Sequence, residues 1–210
     1  MTPALAERVP LAMQRARAKV AAAGSPADVF AQLRAAGAAR TVAKRVHWLQ
    51  RAADRHLEPL AAVSACRSGC THCCHIALTI TDAEAQLLPQ ASGRPAVRPA
   101  DAVRREDLQA MARDERLQVD ALDAELVSCP FLSEGACSVY ATCPLACRVQ
   151  LNLDDDDLLC QLVPGVDVPV PYADATSIRG LWLALQPSAL YADIRSFFPA
   201  GGTVPARPTP

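Results

Sequence analysis

Aromatic residues are scarce in this sequence, since two tryptophans, three tyrosines and four phenylalanines make up only 4% of 210 residues. The core must therefore come mainly from alanine, leucine and valine, which suits closely packed helices. Strand patterns are also rare. Only residues 127–132 and 166–170 could be extended, and prolines interrupt the second segment. We expect a mainly α fold with little or no β structure.

Long apolar runs are lacking too. No stretch of about 18 apolar residues occurs, so we expect no membrane-spanning helix. The first 23 residues mix charged side chains with alanines instead of forming an apolar leader, which makes a cytoplasmic location our expectation.

The net charge of −1 hides an uneven distribution, because residues 1–60 carry +6 and the other 150 residues carry −7. Either a basic helical face packs on an acidic part of the same protein, or that face binds a nucleic acid or an acidic partner. Basic residues are not interleaved with aromatic ones, which favours the packing interpretation. We therefore do not expect nucleic acid as a partner, while a protein partner stays open.

Cysteine is the distinctive component. The chain has nine, and eight fall in two clusters: CRSGCTHCCH at residues 66–75, then CPFL from Cys129, CSVY from Cys137 and CPLACR from Cys143. An odd number, below the density of a disulfide scaffold, favours metal binding over cross-linking in a reducing compartment.

Thiolates are preferred ligands of zinc and of iron–sulfur clusters. The Cys70-x-x-Cys73 spacing lets one turn direct two sulfurs at one metal, and Cys143 and Cys147 fall on one face of a helical turn. We predict as metal ligands Cys66, Cys70, Cys73, Cys74, Cys129, Cys137 and Cys147, with Cys143 next. Eight thiolates exceed the needs of one tetrahedral zinc, so one iron–sulfur cluster, two zinc sites or a polynuclear site remain open.

The neighbours of these cysteines leave further alternatives. His72 and His75 are either ligands or hydrogen-bond donors beside the metal. Cys160 is either a buried apolar residue or an additional ligand. Adjacent Cys73 and Cys74 are expected to point apart. The acidic run at residues 154–157 is interpreted as a solvated turn, because no EF-hand spacing surrounds it.

Helix patterns organise the chain around the clusters. A helix from about Arg40 to Leu60 leads to the first cluster, and one from about Asp101 to Leu126 leads to the second. We therefore expect two cysteine-rich loops joined at a metal site. Other expected helices run from Ser25 to Gly37, from the Thr81–Glu84 capping box to about Ala91, over residues 178–185 and over residues 190–198.

These patterns predict four parts of the chain. They are an N-terminal helical region at residues 1–63, a cysteine-cluster core at 64–150, helices packing on that core at 151–198 and a flexible tail at 199–210.

The four cysteine motifs, taken in order, resemble a family of bacterial cysteine-cluster proteins described as zinc- or iron-chelating domains. The resemblance covers about residues 64–150 and implies a Zn or Fe cofactor. One position departs from the family pattern, since Cys143 stands where an arginine usually precedes the proline. A related cluster in flagellin lysine N-methylases implies an iron–sulfur and S-adenosylmethionine alternative.

Three functions follow as hypotheses: a domain whose metal holds the fold together, an iron–sulfur enzyme with redox or S-adenosylmethionine-dependent chemistry, and a protein that stores, delivers or senses metal. Catalysis is the less favoured class, because the sequence shows neither barrel-like βα alternation nor a glycine-rich nucleotide loop. A Cys/His peptidase is weaker still, since Cys70, His72 and Cys73 are too close in sequence to act as nucleophile and base.

Overall fold

The computed structural model describes residues 3–67, 69–108, 128–161 and 168–199. Helices predominate, as the sequence predicts, and the strands form only short antiparallel pairs. The helices are α1 (Pro3–Ala23), α2 (Phe30–Ala38), α3 (Val42–Ala61), α4 (Asp82–Ala85), α5 (Leu88–Ser92), α6 (Leu145–Arg148), α7 (Thr176–Ala184) and α8 (Ile194–Phe197). The strands are β1 (Thr79–Thr81), β2 (Leu132–Ser133), β3 (Ala136–Cys137) and β4 (Tyr191–Asp193). Single 3₁₀ turns occupy His72–Cys74, Arg105–Asp107, Tyr140–Thr142 and Leu158–Cys160.

Helix α3 is the central element and confirms the helix predicted from about Arg40. The Thr41 side chain accepts a hydrogen bond from the Lys44 amide and so caps its first turn. Its predicted apolar stripe is buried at Val46, Leu49, Ala53 and Leu57. The helix packs against α1, α2, α4, α6 and α7, and its end delivers the chain to the first cysteine cluster.

Helix α2 begins later than predicted. The Ser25-Pro26 signal predicts a start near residue 25, but the first helical residue is Phe30. The Asp28 carboxylate instead accepts a hydrogen bond from the Phe30 amide at 2.9 Å, which satisfies a donor of the first turn. The predicted end is close, since the helix stops one residue after Gly37.

The helix predicted over residues 190–198 is partly wrong. Residues 191–193 form strand β4, which pairs antiparallel with β1 and places Ile80 opposite Ala192. Only residues 194–197 are helical. The buried strand pairing outweighs the helical spacing of the apolar residues. This pair also brings the C-terminal segment beside the chain that leaves the first cysteine cluster.

Strands β2 and β3 form a hairpin within the second cysteine cluster. The two turn residues, Glu134 and Gly135, have φ angles of 50° and 74°. Such positive values suit a tight two-residue turn and favour glycine. The hairpin places Cys137 opposite Leu132.

The structure tests part of the remaining segment predictions. The capping box between Thr81 and Glu84 is present and begins α4, and the predicted helix over residues 178–185 matches α7. Of the helix predicted over residues 101–126, residues 101–104 are not helical and 105–107 form one 3₁₀ turn. The remainder from 109, and the tail from 200, lie outside the described residues, as do residues 166 and 167 of the second possible strand.

The acidic run at residues 154–157 is not the solvated turn expected from sequence. Asp154 is fully buried, and its carboxylate accepts hydrogen bonds from Arg8 at 2.9 Å and Arg15 at 3.3 Å. Lys19 pairs with the neighbouring Asp155 at 3.1 Å. One basic face of α1 therefore packs on an acidic loop of the same chain, as the packing interpretation of the charge asymmetry predicts.

Glu84 is a buried carboxylate that joins three segments. Its Oε1 accepts the Leu145 backbone N–H at 2.8 Å, at the start of α6. Its Oε2 accepts the Trp182 indole N–H at 3.2 Å and both the amide and the hydroxyl of Thr81 at 3.1 Å. Burial raises the pKa of Glu84, and these hydrogen bonds oppose that shift. The carboxylate thus positions the helix that carries Cys147.

Among the described residues, no helix combines the length and the apolar character needed to cross a membrane.

We predict that Glu84→Gln lowers the free energy of unfolding by about 2–4 kcal/mol, because an amide NH₂ would face donors that now meet an oxygen. Urea denaturation of the variant measures the loss. The exposed Glu106→Gln is the matched control and should unfold like the parent protein. Equal stability of both variants would contradict the proposed role of Glu84.

We predict that Asp154→Asn loosens α1, since the partly buried Arg8 and Arg15 would each lose their pairing with the fully buried carboxylate and keep only a more exposed one. The expected destabilisation is about 3 kcal/mol, with faster proteolytic cleavage within α1. Asp155→Asn is the control. Its side chain is half-exposed, so its effect should be clearly smaller. Equal cleavage rates in the two variants would contradict the larger effect expected for Asp154→Asn.

Candidate metal centre

The first cysteine cluster is a tight turn fixed at both ends. The Ala65 amide donates to the Asn152 carbonyl at 2.8 Å, which holds the chain just before Cys66. Gly69 has a φ of 84°, a conformation that favours glycine, and turns the backbone into Cys70. The following 3₁₀ turn carries Cys73 and Cys74, with the Cys74 amide donating to the Thr71 carbonyl at 2.8 Å.

The second cluster folds as the β2–β3 hairpin, a 3₁₀ turn and helix α6. Cys143 is extended, with φ −56° and ψ 147°, as expected before a proline. Pro144 precedes the first residue of α6. The thiols of Cys143 and Cys147 are in hydrogen-bonding contact, so their four-residue spacing does place them on one face.

The two clusters meet directly. The Cys129 amide donates to the Cys74 carbonyl at 2.6 Å, and the Cys74 thiol contacts that of Cys129. Arg195 also donates to the Cys74 carbonyl at 3.3 Å and to the Ile76 carbonyl at 3.0 Å. The predicted meeting of the two loops is therefore present in the structure.

Cys73 and Cys74 do not point apart as predicted from their adjacency. Their thiols are in hydrogen-bonding contact, and Cys74 lies between Cys73 and Cys129. The 3₁₀ turn explains the difference, since its side chains do not alternate as those of a strand do.

One cavity of about 680 Å³ collects most of the predicted ligands. The cysteines that line it are Cys70, Cys73, Cys74, Cys129, Cys137, Cys143 and Cys147. Exposed charged residues of α3 and the exposed Tyr140 also border it. Cys66 is the predicted ligand that does not line this cavity. We call the six lining cysteines other than Cys70 the cavity cysteines.

Interaction between neighbouring thiols lowers the pKa of one partner and raises the pKa of the other. Interaction with the Cys74 thiol lowers the pKa of Cys73 and of Cys129, each to about 7. The pKa of Cys74 is raised by the same two contacts. In the second pair, contact with Cys147 lowers the pKa of Cys143, and the contact raises that of Cys147. Cys73, Cys129 and Cys143 therefore ionise more readily than an ordinary thiol, and each lies beside a neighbouring thiol that can release a proton to a metal.

Arg148 clamps the second cluster. Its Nε donates to the Cys143 carbonyl at 2.9 Å, and its Nη1 pairs with Asp54 of α3 at 2.8 Å. Its positive charge also lowers the pKa of Cys143. The Arg148 side chain is mostly buried and is therefore not an ordinary surface arginine.

Cys66 lies with Cys160 on the other side of the first cluster. Asn152 donates its backbone N–H to Cys66 Sγ at 3.4 Å and its side-chain amide to Cys160 Sγ at 3.3 Å. Burial, and then the charges of Cys66 and Cys70, raise the pKa of Cys160 to about 12. Cys160 is therefore close to the predicted ligands rather than isolated in an apolar core.

The two histidines of the cluster differ. His72 Nε2 lies 3.2 Å from a carboxylate oxygen of Asp157, and Cys70 completes a group whose ligand atoms all lie within 4.8 Å of one another. The structure gives His75 no comparable grouping among the described residues. The sequence analysis treated both alike, because nothing in the spacing separates them.

The donor set fits a thiophilic metal. All nine cysteines are free thiols, and the cavity cysteines offer soft sulfur ligands on one enclosed space. Gln150 borders the same cavity and holds a buried Oε1 with no hydrogen-bond partner among the described residues.

Several contributing residues escaped the sequence analysis. Arg195 and Asn152 lie 121 and 86 positions from the cysteines they contact, and no local motif marks either one. Asp157 stands in the acidic run that we interpreted as solvated. Among these residues, only Cys160 could have been recognised from the sequence as a possible ligand, because it is a cysteine.

The comparisons with known proteins agree with the chemistry. Residues 65–162 match the model of the CxxCxxCC family, whose description is "putative zinc- or iron-chelating domain". Neither the curated proteins nor the solved structures gave a match. The matched segment contains all nine cysteines, the eight of the two clusters and Cys160. The similarity to the CxxCxxCC family thus covers residues 65–162, just under half of the chain.

Proposed function

We propose that the six cavity cysteines bind a polynuclear zinc or iron centre. The observation that carries this proposal is that one cavity joins thiols of both clusters, and that the Cys74 thiol interacts with those of Cys73 and Cys129. Metal binding is the property that the family description supports in general terms.

The number of thiols argues for more than one metal ion. A structural zinc site uses four ligands, so six sulfurs exceed what one tetrahedral ion requires. A sulfur that already contacts two others, as Cys74 does, is well placed to bridge two ions. The cavity volume of about 680 Å³ also leaves room for the inorganic sulfide of an iron–sulfur cluster.

The protein residues divide the work of metal binding. Cys73, Cys129 and Cys143 give up their protons most readily, because their pKa values are lowered. Cys74 and Cys147 lose a proton when a cation arrives. Arg195 and Arg148 bring positive charge near Cys129 and Cys143 and so reduce repulsion between the sulfurs.

We assign the centre first a structural role. Several cysteines of the two loops pack with the apolar cluster of Leu78, Ile80 and Phe131, namely Cys74, Cys129, Cys137 and Cys147. A metal bound by these cysteines would therefore cross-link the two loops above this core. The described residues offer no comparable argument for catalysis. The measurements below also distinguish the structural role from an iron–sulfur enzyme and from metal delivery.

We predict that metal removal lowers thermal stability. A ligand held at a thousandfold excess over its dissociation constant adds about 4 kcal/mol, which corresponds to a Tm shift of roughly 8–16 °C at this chain length. Calorimetry before and after chelation, followed by zinc or iron reloading, measures it. An unchanged Tm with complete metal loss would refute the structural role and leave delivery or sensing.

We predict that Cys129→Ser and Cys147→Ser reduce the metal content of anaerobically purified protein, because each removes one thiolate from the cavity. Ser138→Ala is the control, since it changes the same loop without removing a sulfur and lies outside the cavity lining. Zinc, iron and acid-labile sulfide per chain are measured together. Full metal content in both serine variants would contradict the proposed centre.

The metal analysis also separates the two forms of the centre. Iron with matching sulfide and a broad band near roughly 400 nm indicates an iron–sulfur cluster. Colourless protein with zinc indicates a zinc–thiolate centre.

A further inference from the structure

A group of mixed ligands lies beside the thiol cavity. Cys70 Sγ, a ring nitrogen of His72 and a carboxylate oxygen of Asp157 lie within 4.8 Å of one another. All three residues are half-buried, and the pairing involves chain segments more than 80 residues apart. A solvated acidic turn would not place its last carboxylate against a histidine of the cysteine cluster.

Asn152 holds two more sulfurs beside the acidic loop that carries Asp157. Asn152 is fully buried, and it donates to Cys66 Sγ and Cys160 Sγ at 3.4 and 3.3 Å. Its side-chain amide also donates to the Asp156 carbonyl at 2.9 Å, next to Asp157. One buried amide residue therefore ties the positions of both sulfurs to the acidic loop.

Hydrogen bonds of this kind are typical around metal-bound thiolates. Amide N–H groups that donate to sulfur orient a ligand and offset part of its negative charge. Neither Cys66 nor Cys160 lines the thiol cavity, so these bonds serve a position outside it.

We propose that Cys70, His72 and Asp157 bind a single divalent metal ion of the zinc class, with a thiolate of Cys66 or Cys160 as the fourth ligand. A set of sulfur, imidazole and carboxylate is a usual tetrahedral zinc set. This site is distinct from the proposed cavity centre, whose ligands are all cysteine sulfurs, and the two sites adjoin at Cys70. This second site does not depend on the polynuclear centre, because its other ligands lie outside the cavity lining.

The position of this ion links it to the N-terminal helix. Asp157 ends the acidic loop whose Asp154 and Asp156 pair with Arg8 of α1 at 2.9 and 2.6 Å. An ion bound by Asp157 and the cysteine turn would fix this loop and thereby the surface on which α1 packs. Arg67 lies 3.6 Å from Asp157 and is exposed, so it can move aside without leaving a buried charge.

The two histidines of the motif give a matched test. His72→Ala and His75→Ala are the same substitution three residues apart, and only His72 belongs to the group. With zinc-loaded or Co²⁺-loaded full-length protein, we expect His72→Ala and Asp157→Asn each to lose one metal equivalent per chain, and His75→Ala to lose none. The same two variants should show faster proteolysis within α1.

The outcomes are decisive in either direction. Unchanged metal content in His72→Ala and Asp157→Asn would overturn the site, and so would an equal loss in His75→Ala. If the variants fail to fold, the Co²⁺-loaded parent protein decides, since its paramagnetic NMR spectrum should show one coordinated histidine ring and would refute the site by showing none. The cavity centre is tested separately, because an unchanged metal content in Cys129→Ser would contradict that centre and not this site.

Discussion

The buried carboxylate of Glu84 is the interaction on which the placement of the cysteines depends. Four donors from Thr81, Leu145 and Trp182 converge on its two oxygens. Because Leu145 begins α6, the carboxylate sets the start of the helix that carries Cys147 relative to β1 and α7. A single charged group thus connects the chain after the first cluster with the chain inside the second. The donors around it compensate for the cost of its burial.

The cysteine loops present the opposite problem, which is the close approach of groups that become negative. Without a metal, the chain limits this cost by keeping protons on Cys74 and Cys147 and by placing Arg148 and Arg195 nearby. Metal ions remove the remaining cost when they replace the protons. The same logic applies on the far side of the turn, where Asn152 donates to both Cys66 and Cys160. Cys70 stands at the junction of these two regions.

Sequence reasoning succeeded where the signal is local. The stripe of α3, the Thr81–Glu84 capping box and α7 follow from spacing alone, because helix faces and caps depend on residues three or four apart. It failed where distant segments decide. Residues 191–193 became a strand because β1 lies beside them, and Asp154 became buried because α1 supplies two arginines. Neither partner is within reach of a local pattern.

The sequence by itself determined the chemical character of this protein: a mainly helical chain whose clustered thiols match the model of a family described as zinc- or iron-chelating. Residue type and spacing suffice for that, since a soft metal selects sulfur wherever a turn can present it. Only the tertiary structure decided which sulfurs meet. It grouped seven of them on one cavity and set Cys66 and Cys160 apart with Asn152. It also brought His72, but not His75, to Asp157 and Cys70. Such choices depend on contacts between residues up to about a hundred positions apart, which packing fixes and local sequence does not encode.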